Sequence, residues 1–360
     1  MIFVKVDDLK PGMRLGKPIY NKNGVLLHER NSKLTIQSIN SVRNFGLIGL
    51  YILEPAEPVP PMTEDDIQFE RFQTVSIFSI RDDLKLMIQE KLPKTLDWLV
   101  GIIIKNYGGI DRKINFVQSL RSTDDFVYKQ SLNVAILSAL ICNQLNMPAS
   151  VQNKVVKAAI LHDVGCMVYG NGIKFDSELT LEQEQAIQKG TQDVLAKIDI
   201  DPDSKRLAVK IHDYIKAEME DNYMATGQDI AADILLVAYT YDKMTAMKSY
   251  SEPTSEIMAI RYLMDHERRY DTKVVNALIK SINILNPGVC VELTNNKKGL
   301  VIVENQESVM RPTVLVFDNN TIYDLSRNSV YSEVQIKDVM KTMDNRIKMD
   351  PEALMNYSME

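Results

Sequence analysis

The chain of 360 residues is 45% apolar and 25% charged, with a formal net charge of −6. This composition is typical of a globular protein with a sizeable core, and the acidic balance disfavours a nucleic-acid groove. Three scattered cysteines without a CxxC pair disfavour disulfides and a thiolate zinc site. No apolar run is long enough to cross a membrane, so a cytoplasmic protein without membrane insertion is predicted.

Residues 1–53 are predicted to form a small α/β module. Strand patterns lie at 2–6 and 50–53, and a helix is predicted over 35–45. Two short apolar runs around the Asn-Lys-Asn-Gly turn at 21–24 predict a hairpin.

Residues 54–64 are rich in proline, which lacks an amide donor and fixes φ, so a semi-rigid linker is predicted. From 65 to 285 the apolar spacing is helical, and the predicted fold class is therefore mainly α. Candidate helices lie at 65–91, 93–107, 112–120, 127–145, 148–161, 180–197, 203–215, 228–247, 253–264 and 271–282.

Over residues 286–360 the apolar period changes to two, which predicts a small β-rich tail. Strands are predicted at 289–293, 299–303 and 313–317. A terminal helix over 333–346 is predicted to follow them.

One His-Asp pair stands at the end of a predicted buried helix. His162 and Asp163 follow Ala-Ala-Ile-Leu and precede Val-Gly. An imidazole and a carboxylate that leave an apolar wall together can ligate a divalent metal, or they can satisfy each other as a hydrogen-bonded pair. With only four histidines in the chain, a histidine-rich cage for two metals cannot be built.

The run Ala-Ile-Leu-His-Asp-Val-Gly at 159–165 resembles the signature of the HD superfamily of metal-dependent phosphohydrolases. The segments around it resemble the HD-GYP branch, which degrades cyclic di-GMP. Residues 7–27 and 286–293 resemble the N-terminal module and the β-rich tail that accompany such domains. The resemblance implies an HD-type helical bundle.

The same resemblance implies that most of the metal site is lost. His162, Asp163 and His212 remain as a vestigial metal site, while the Gly-Tyr-Pro loop is absent. Lys248 and Tyr250 stand where the family has Arg-Pro-Tyr, and they are candidates for a ligand pocket. Positions that carry a ligand or another functional residue in the family are degenerate here, namely Gln130, Cys166, Gly190, Ile211 and Tyr239.

These observations predict a catalytically inactive binding or scaffolding protein of bacterial signalling, with a protein partner, no catalytic residues and no bound metal. One alternative is a sensor that binds cyclic di-GMP or a related nucleotide without cleaving it. Another is a weak phosphohydrolase that holds one iron, manganese or zinc ion loosely. The sequence leaves a homodimer open and does not identify the partner.

Overall fold

A computed structural model describes the protein over residues 2–20, 26–44, 49–53, 64–116, 118, 121, 125–168, 177–222, 224, 226–246 and 253–340. Helices dominate, and small sheets lie at both ends of the chain. The predicted mainly α fold class is confirmed: a helical bundle with a small N-terminal α/β module and a small β-rich tail.

The N-terminal module joins three strands and one helix around its own small core. Its antiparallel sheet has the order β1-β5-β2, and buried side chains such as Leu15 and Leu50 pack against α1 and neighbouring turns. A separate antiparallel pair, β3 and β4, confirms the predicted hairpin pairing, whose turn lies outside the described residues. The elements are β1 Ile2–Lys5, β2 Arg14–Leu15, β3 Ile19–Tyr20, β4 Leu26–His28, α1 Ile36–Asn44 and β5 Gly49–Leu53.

The helical bundle surrounds α4, which is buried on nearly every face and packs against α2, α3, α5, α8 and α10. A helix that is apolar all round belongs in the middle of a core. None of the described helices is long and apolar enough to cross a membrane. The bundle consists of α2 Glu64–Ile88, α3 Leu96–Tyr107, α4 Phe126–Gln144, α5 Ala149–Leu161, α6 Leu181–Lys197, α7 Pro202–Met219, α8 Ile230–Thr245, α9 Glu256–Asp265 and α10 Thr272–Ser281.

Several bundle helices begin at polar caps that the sequence displays. Thr180 and Gln183 form a capping box at the start of α6, and Asp201 caps α7 directly before a proline. Asp229 and Asp271 cap α8 and α10 by accepting hydrogen bonds from backbone amides. Such caps satisfy amides that have no partner within the helix, so these helix starts are encoded locally.

The C-terminal sheet is antiparallel throughout, with the strand order β10-β6-β7-β8-β9. Its buried face, which includes Val291, Val301 and Val314, belongs to the same core as the helical bundle. The elements are β6 Cys290–Leu293, β7 Lys298–Val303, β8 Thr313–Val316, β9 Ile322–Asp324, α11 Asn328–Tyr331 and β10 Ile336–Val339.

Two predicted helices are wrong over the residues that the structure describes. In 112–120, Ile114 forms a β-bridge with Ile282 instead, because this connection runs beside the end of α10. In 333–346, residues 336–339 form an edge strand, because Ile336 gains burial opposite Leu293 of β6. Residues 341–346 and most of the predicted linker, 54–63, lie outside the described residues, and the domain boundaries stay a prediction.

A buried carboxylate in α8 gives a prediction about stability. Asp233 is 1% exposed, and its Oδ2 accepts a hydrogen bond from the Gly227 amide at 2.8 Å. Its Oδ1 has no hydrogen-bond partner among the described residues. Burial, together with the nearby charges of Asp271 and Asp229, raises the pKa of Asp233 to about 6 although the Gly227 amide lowers it. The folded protein therefore holds this charge at a cost at neutral pH.

Replacing Asp233 with Asn is expected to raise Tm by a few degrees at about pH 8, because the buried charge disappears. The pKa of Asp233 in the folded state lies above its ordinary value of 3.8, so the natural protein regains stability as the pH falls through about 6. The advantage of the variant should vanish near pH 4 in a series of melting curves. Asp82→Asn, at an exposed carboxylate, is the control and should show no such trend.

Candidate functional site

His162 and Asp163 lie where α5 ends and a tight 3-10 turn over Val164–Met167 begins. His162 Nδ1 lies 2.8 Å from the carbonyl oxygen of Ala159, so this nitrogen carries the proton and donates it. His162 Nε2 lies 3.2 Å from Asp163 Oδ2 but forms no hydrogen bond within the described residues. The two atoms therefore lie side by side without pointing at each other.

The Asp163 side chain is buried but stays charged. Burial raises its pKa, and the neighbouring His162 and His212 lower it more strongly, so the pKa ends below its ordinary value. A buried carboxylate is stable only beside positive charge or hydrogen-bond donors. Positive charge from the neighbouring histidines therefore compensates the Asp163 carboxylate.

His212, on α7, uses both ring nitrogens inside the protein. Nδ1 donates to Glu184 Oε1 at 2.6 Å, and Nε2 donates to the backbone carbonyl of His162 at 2.8 Å. Because two donors require two protons, the ring is an imidazolium. Burial lowers the pKa of His212, but the Glu184 carboxylate raises it above the ordinary value. Neither nitrogen has a lone pair left for a metal.

Glu184 is the site residue that the sequence reasoning missed. It is buried on α6, and its carboxylate determines the orientation of the His212 ring. One feature of the sequence could have indicated Glu184. Glu184, Ile187 and Thr191 have the spacing of one buried helix face. A carboxylate on such a face requires a partner inside the protein.

Gly190 lies against the turn that follows Asp163. A Cβ at Gly190 would lie 3.1 Å from the Cα of Gly165, and a Cβ at Gly165 would lie 2.1 Å from the Ile187 carbonyl oxygen. Thr191 links α6 to this turn by two hydrogen bonds: its hydroxyl accepts one from the Gly165 amide and donates one to the carbonyl oxygen of His162. A histidine at 190, as the family resemblance implies, would meet the backbone at Gly165.

Changing Gly165 to Ala is therefore expected to destabilise the fold by about 1–3 kcal/mol, the usual cost of overpacking. Gly101→Ala is the matched control, because a Cβ at this exposed site in α3 meets nothing within 4 Å. That control should be neutral or stabilise the helix by up to about 1 kcal/mol. Urea unfolding of both variants checks the difference, and equal stabilities would contradict the close packing of α6 on the turn.

The other degenerate positions are buried and uncharged. The Tyr239 ring meets the His162 ring edge-on, with centroids 5.6 Å apart, and burial raises the pKa of its phenol well above the ordinary value. Burial likewise raises the pKa of the Cys166 thiol, so it stays protonated. Gln130 and Ile211 are buried on α4 and α7. Lys248 and Tyr250 lie outside the described residues.

Asp213 and Asp242 stand close in sequence to positions that the family resemblance gives as ligands, and both carboxylates have other partners in this structure. Asp242 Oδ1 accepts from the buried Arg121 guanidinium at 2.5 Å, and from Gln118 and Asn133. Asp213 lies on the outer side of α7, where it pairs with Lys216 and Gln188. Their carboxylates have other roles.

A cavity of about 270 Å³ opens beside Asp163, near the lower end of the size range for small-molecule sites. Its surface end carries Glu178 and Met219, and its inner wall carries Asp163, Glu184 and Tyr239. Among the described residues, the lining consists of Phe126, Gln130, Asp163, Cys166, Glu178, Leu179, Glu184, Ile187, Ile215, Met219, Tyr239 and Lys243.

The donor set does not fit the two-metal centre that the family resemblance implies. Within the described ranges, no group of three or more His, Cys, Asp or Glu side chains is arranged to hold a metal ion. His162 Nε2 and Asp163 Oδ2 are two adjacent atoms that could ligate a metal. Both ring nitrogens of His212 already donate hydrogen bonds within the protein. A tight metal site needs three or four ligands.

Comparison with known proteins finds a curated protein and a solved structure that are similar to this chain. No family model matches the chain. A cyclic di-GMP phosphodiesterase from Pseudomonas aeruginosa is 24% identical over 205 residues, which cover 55% of this chain and 49% of that protein. The chain thus spans about half the length of this curated relative. A solved HDG"Y"P protein from Bdellovibrio bacteriovorus aligns with 77% of this chain and 97% of its own, at 13% identity and a TM-score of 0.45.

Proposed function

The chain is related to the HD-GYP family of cyclic di-GMP signalling, and on that premise we propose that it is a non-hydrolysing member that acts by binding. The observation that carries the proposal is the commitment of both His212 nitrogens, to Glu184 and to the backbone of His162. In phosphodiesterases of this type, bound metal ions supply an activated hydroxide. Here His212 is engaged elsewhere, which leaves His162 and Asp163 as two adjacent ligands, too few for a tightly bound metal.

Binding or scaffolding in signalling is the role that remains when hydrolysis is lost and the fold is kept. The buried side chains at the site, including His212, Glu184 and Tyr239, stabilise the bundle. A protein partner supplies the output in this proposal.

A cyclic di-GMP sensor is less well supported by the cavity. Its volume of about 270 Å³ is small for a dinucleotide, and its described lining residues carry three carboxylates and one ammonium, that of Lys243. Phosphate recognition usually relies on arginine or several cations.

A weak one-metal phosphohydrolase is the second candidate, favoured by one observation. His162 Nε2 is buried without a hydrogen-bond partner in the described structure, beside Asp163 Oδ2 at 3.2 Å. These two atoms can share one loosely held ion. Elemental analysis of protein purified without chelators should find well below one equivalent of iron, manganese or zinc under the main proposal.

The decisive experiment incubates the full chain with cyclic di-GMP and manganese or ferrous iron and follows the linear and mononucleotide products. No turnover above that of Asp163→Ala is expected, because the natural protein lacks the metal-held nucleophile. Turnover that Asp163→Ala abolishes would overturn the proposal and put the one-metal enzyme first.

A further inference from the structure

The outer face of α2 carries a continuous stripe of side chains that face solvent. Its members recur at alternating spacings of four and three residues along the whole helix, which is the pattern of a seam between two helices. All of them are exposed except Phe78, which is partly buried. The other side of α2 packs against α3, α4 and α6. This α2 stripe consists of Glu64, Gln68, Arg71, Val75, Phe78, Asp82, Lys85 and Gln89.

The α2 stripe is complementary to itself when a second copy runs in the opposite direction. Because the alternating spacing is the same from either end, each position can face another position of the stripe. In the central layers Val75 faces Phe78 of the second copy, and Arg71 faces its Asp82. Two-fold symmetry makes each of these contacts occur twice. The outer layers pair Gln68 with Lys85 and Glu64 with Gln89, so no like charges meet.

The charges of the stripe select this antiparallel arrangement. A parallel pairing would place Arg71 against Arg71 and Asp82 against Asp82, which is repulsive. The side chain of Asp82 is 65% exposed, and Arg81 donates to its Oδ1 through Nε at 3.0 Å and Nη2 at 2.9 Å. Within the described structure, Oδ2 therefore has room for the guanidinium of a second copy.

A groove of about 660 Å³ lies beside the stripe, between α2 and the start of α3. Val75 lines it and is 52% exposed, and Phe78 and Leu86 add apolar surface. Lys94 and Thr95 line it from the segment that leads into α3. Apolar side chains that border a groove are typical of a contact surface, and the groove can admit side chains of a second helix.

From these observations we infer that the α2 stripe binds the α2 stripe of a second copy, as an antiparallel helix pair around a two-fold axis. Val75 and Phe78 are the two apolar members of the stripe, so the association is weak and depends on the Arg71–Asp82 pairs. This inference is independent of the proposed loss of hydrolysis and goes beyond it by naming a partner and a surface.

Sedimentation velocity of the full chain, from about 1 to about 500 μM, tests the association. A reversible equilibrium between monomer and dimer is expected, and added salt should shift it towards the monomer because exposed ion pairs are screened. A monomer at every concentration would overturn the inference and leave the stripe to a different protein.

Charge reversal tests the antiparallel register. Arg71→Asp and Asp82→Arg should each weaken dimerisation by about five- to thirtyfold, because like charges then meet twice. The double variant Arg71→Asp/Asp82→Arg restores opposite charges in both layers and should regain the dimer. Such a recovery cannot arise from damage to the fold.

A further variant tests the apolar centre of the stripe. Val75→Asp should weaken dimerisation at least about tenfold, because it brings unpaired carboxylates into the contact. Lys273→Asp is the control, since it reverses an exposed charge on α10 and should leave dimerisation unchanged.

An undiminished dimer in Arg71→Asp or Val75→Asp would refute the α2 contact, and so would a double variant that stays as weak as the single ones. The proposed function fails on a different result, namely cyclic di-GMP hydrolysis, which does not bear on the α2 stripe.

Discussion

Replacing Arg121 with Met is expected to lower the free energy of unfolding by about 3–5 kcal/mol, because it leaves a buried charge uncompensated. Arg121 and Asp242 are both fully buried, and Nη2 lies 2.5 Å from Oδ1. Methionine keeps much of the apolar stem of arginine, so the loss reports the missing charge more than the missing volume. Urea denaturation of the full chain measures it.

The double variant Arg121→Met/Asp242→Leu should recover most of this loss, since hydrophobic pairs often replace buried ion pairs without net cost. Gln118 and Asn133, which donate to Asp242 in the natural protein, would keep other acceptors in the double variant. Gln118 Nε2 donates to Thr245 Oγ1 at 2.7 Å, and Asn133 Nδ2 donates to Gln118 Oε1 at 2.9 Å. A double variant no more stable than Arg121→Met alone would contradict this interpretation.

The ion pair also bears on the site. Asp242 lies three residues after Tyr239 on α8, so the bonds that hold Asp242 also fix the helix that presents Tyr239 to His162. Arg121 further lies over the ring of Phe126, another cavity wall, at 5.2 Å from its centroid. Loss of Arg121 should therefore loosen the cavity as well as the fold.

Replacing His212 with Ala is expected to destabilise the protein by about 3–5 kcal/mol, again by leaving a buried charge unpaired. Glu184 would lose its imidazolium partner, and the carbonyl of His162 would lose one donor. Glu184→Gln in the same background is the control, and it should recover part of the loss because it removes the orphaned charge. No recovery would indicate that the packing volume of the ring dominates.

The pH dependence of His212 has a definite sign. Its pKa is raised above 6.5 in the folded state, so the pair contributes fully below the unfolded value, and the contribution is lost as the pH rises through the folded pKa. The melting temperature of the natural protein should decline as the pH rises from 6.5 through the raised pKa of His212 and should level off above it. His212→Ala should lack this decline, and a parallel decline in both proteins would refute the charged pair.

The sequence by itself determined the helical bundle to a large extent. Helix starts such as those at Thr180, Asp201 and Asp271 depend on caps and spacings within one or two turns, which are visible in any short window. It also predicted that His162 and Asp163 would end a buried helix together. The sequence did not predict the edge strand at 336–339, because the pairing of a strand depends on a partner that is distant in the chain.

Only the tertiary structure decided what the surviving site residues do. The sequence shows that His212 is present, but its two partners lie 28 and 50 residues away on other elements. Asp242 similarly meets Arg121 across 121 residues of chain. Helix periodicity specifies which side chains turn inward, whereas the packing of α6, α7 and the turn after α5 specifies which donors and acceptors meet there. The neighbours of a buried histidine decide its role, and in this structure Glu184 forms an ion pair with His212.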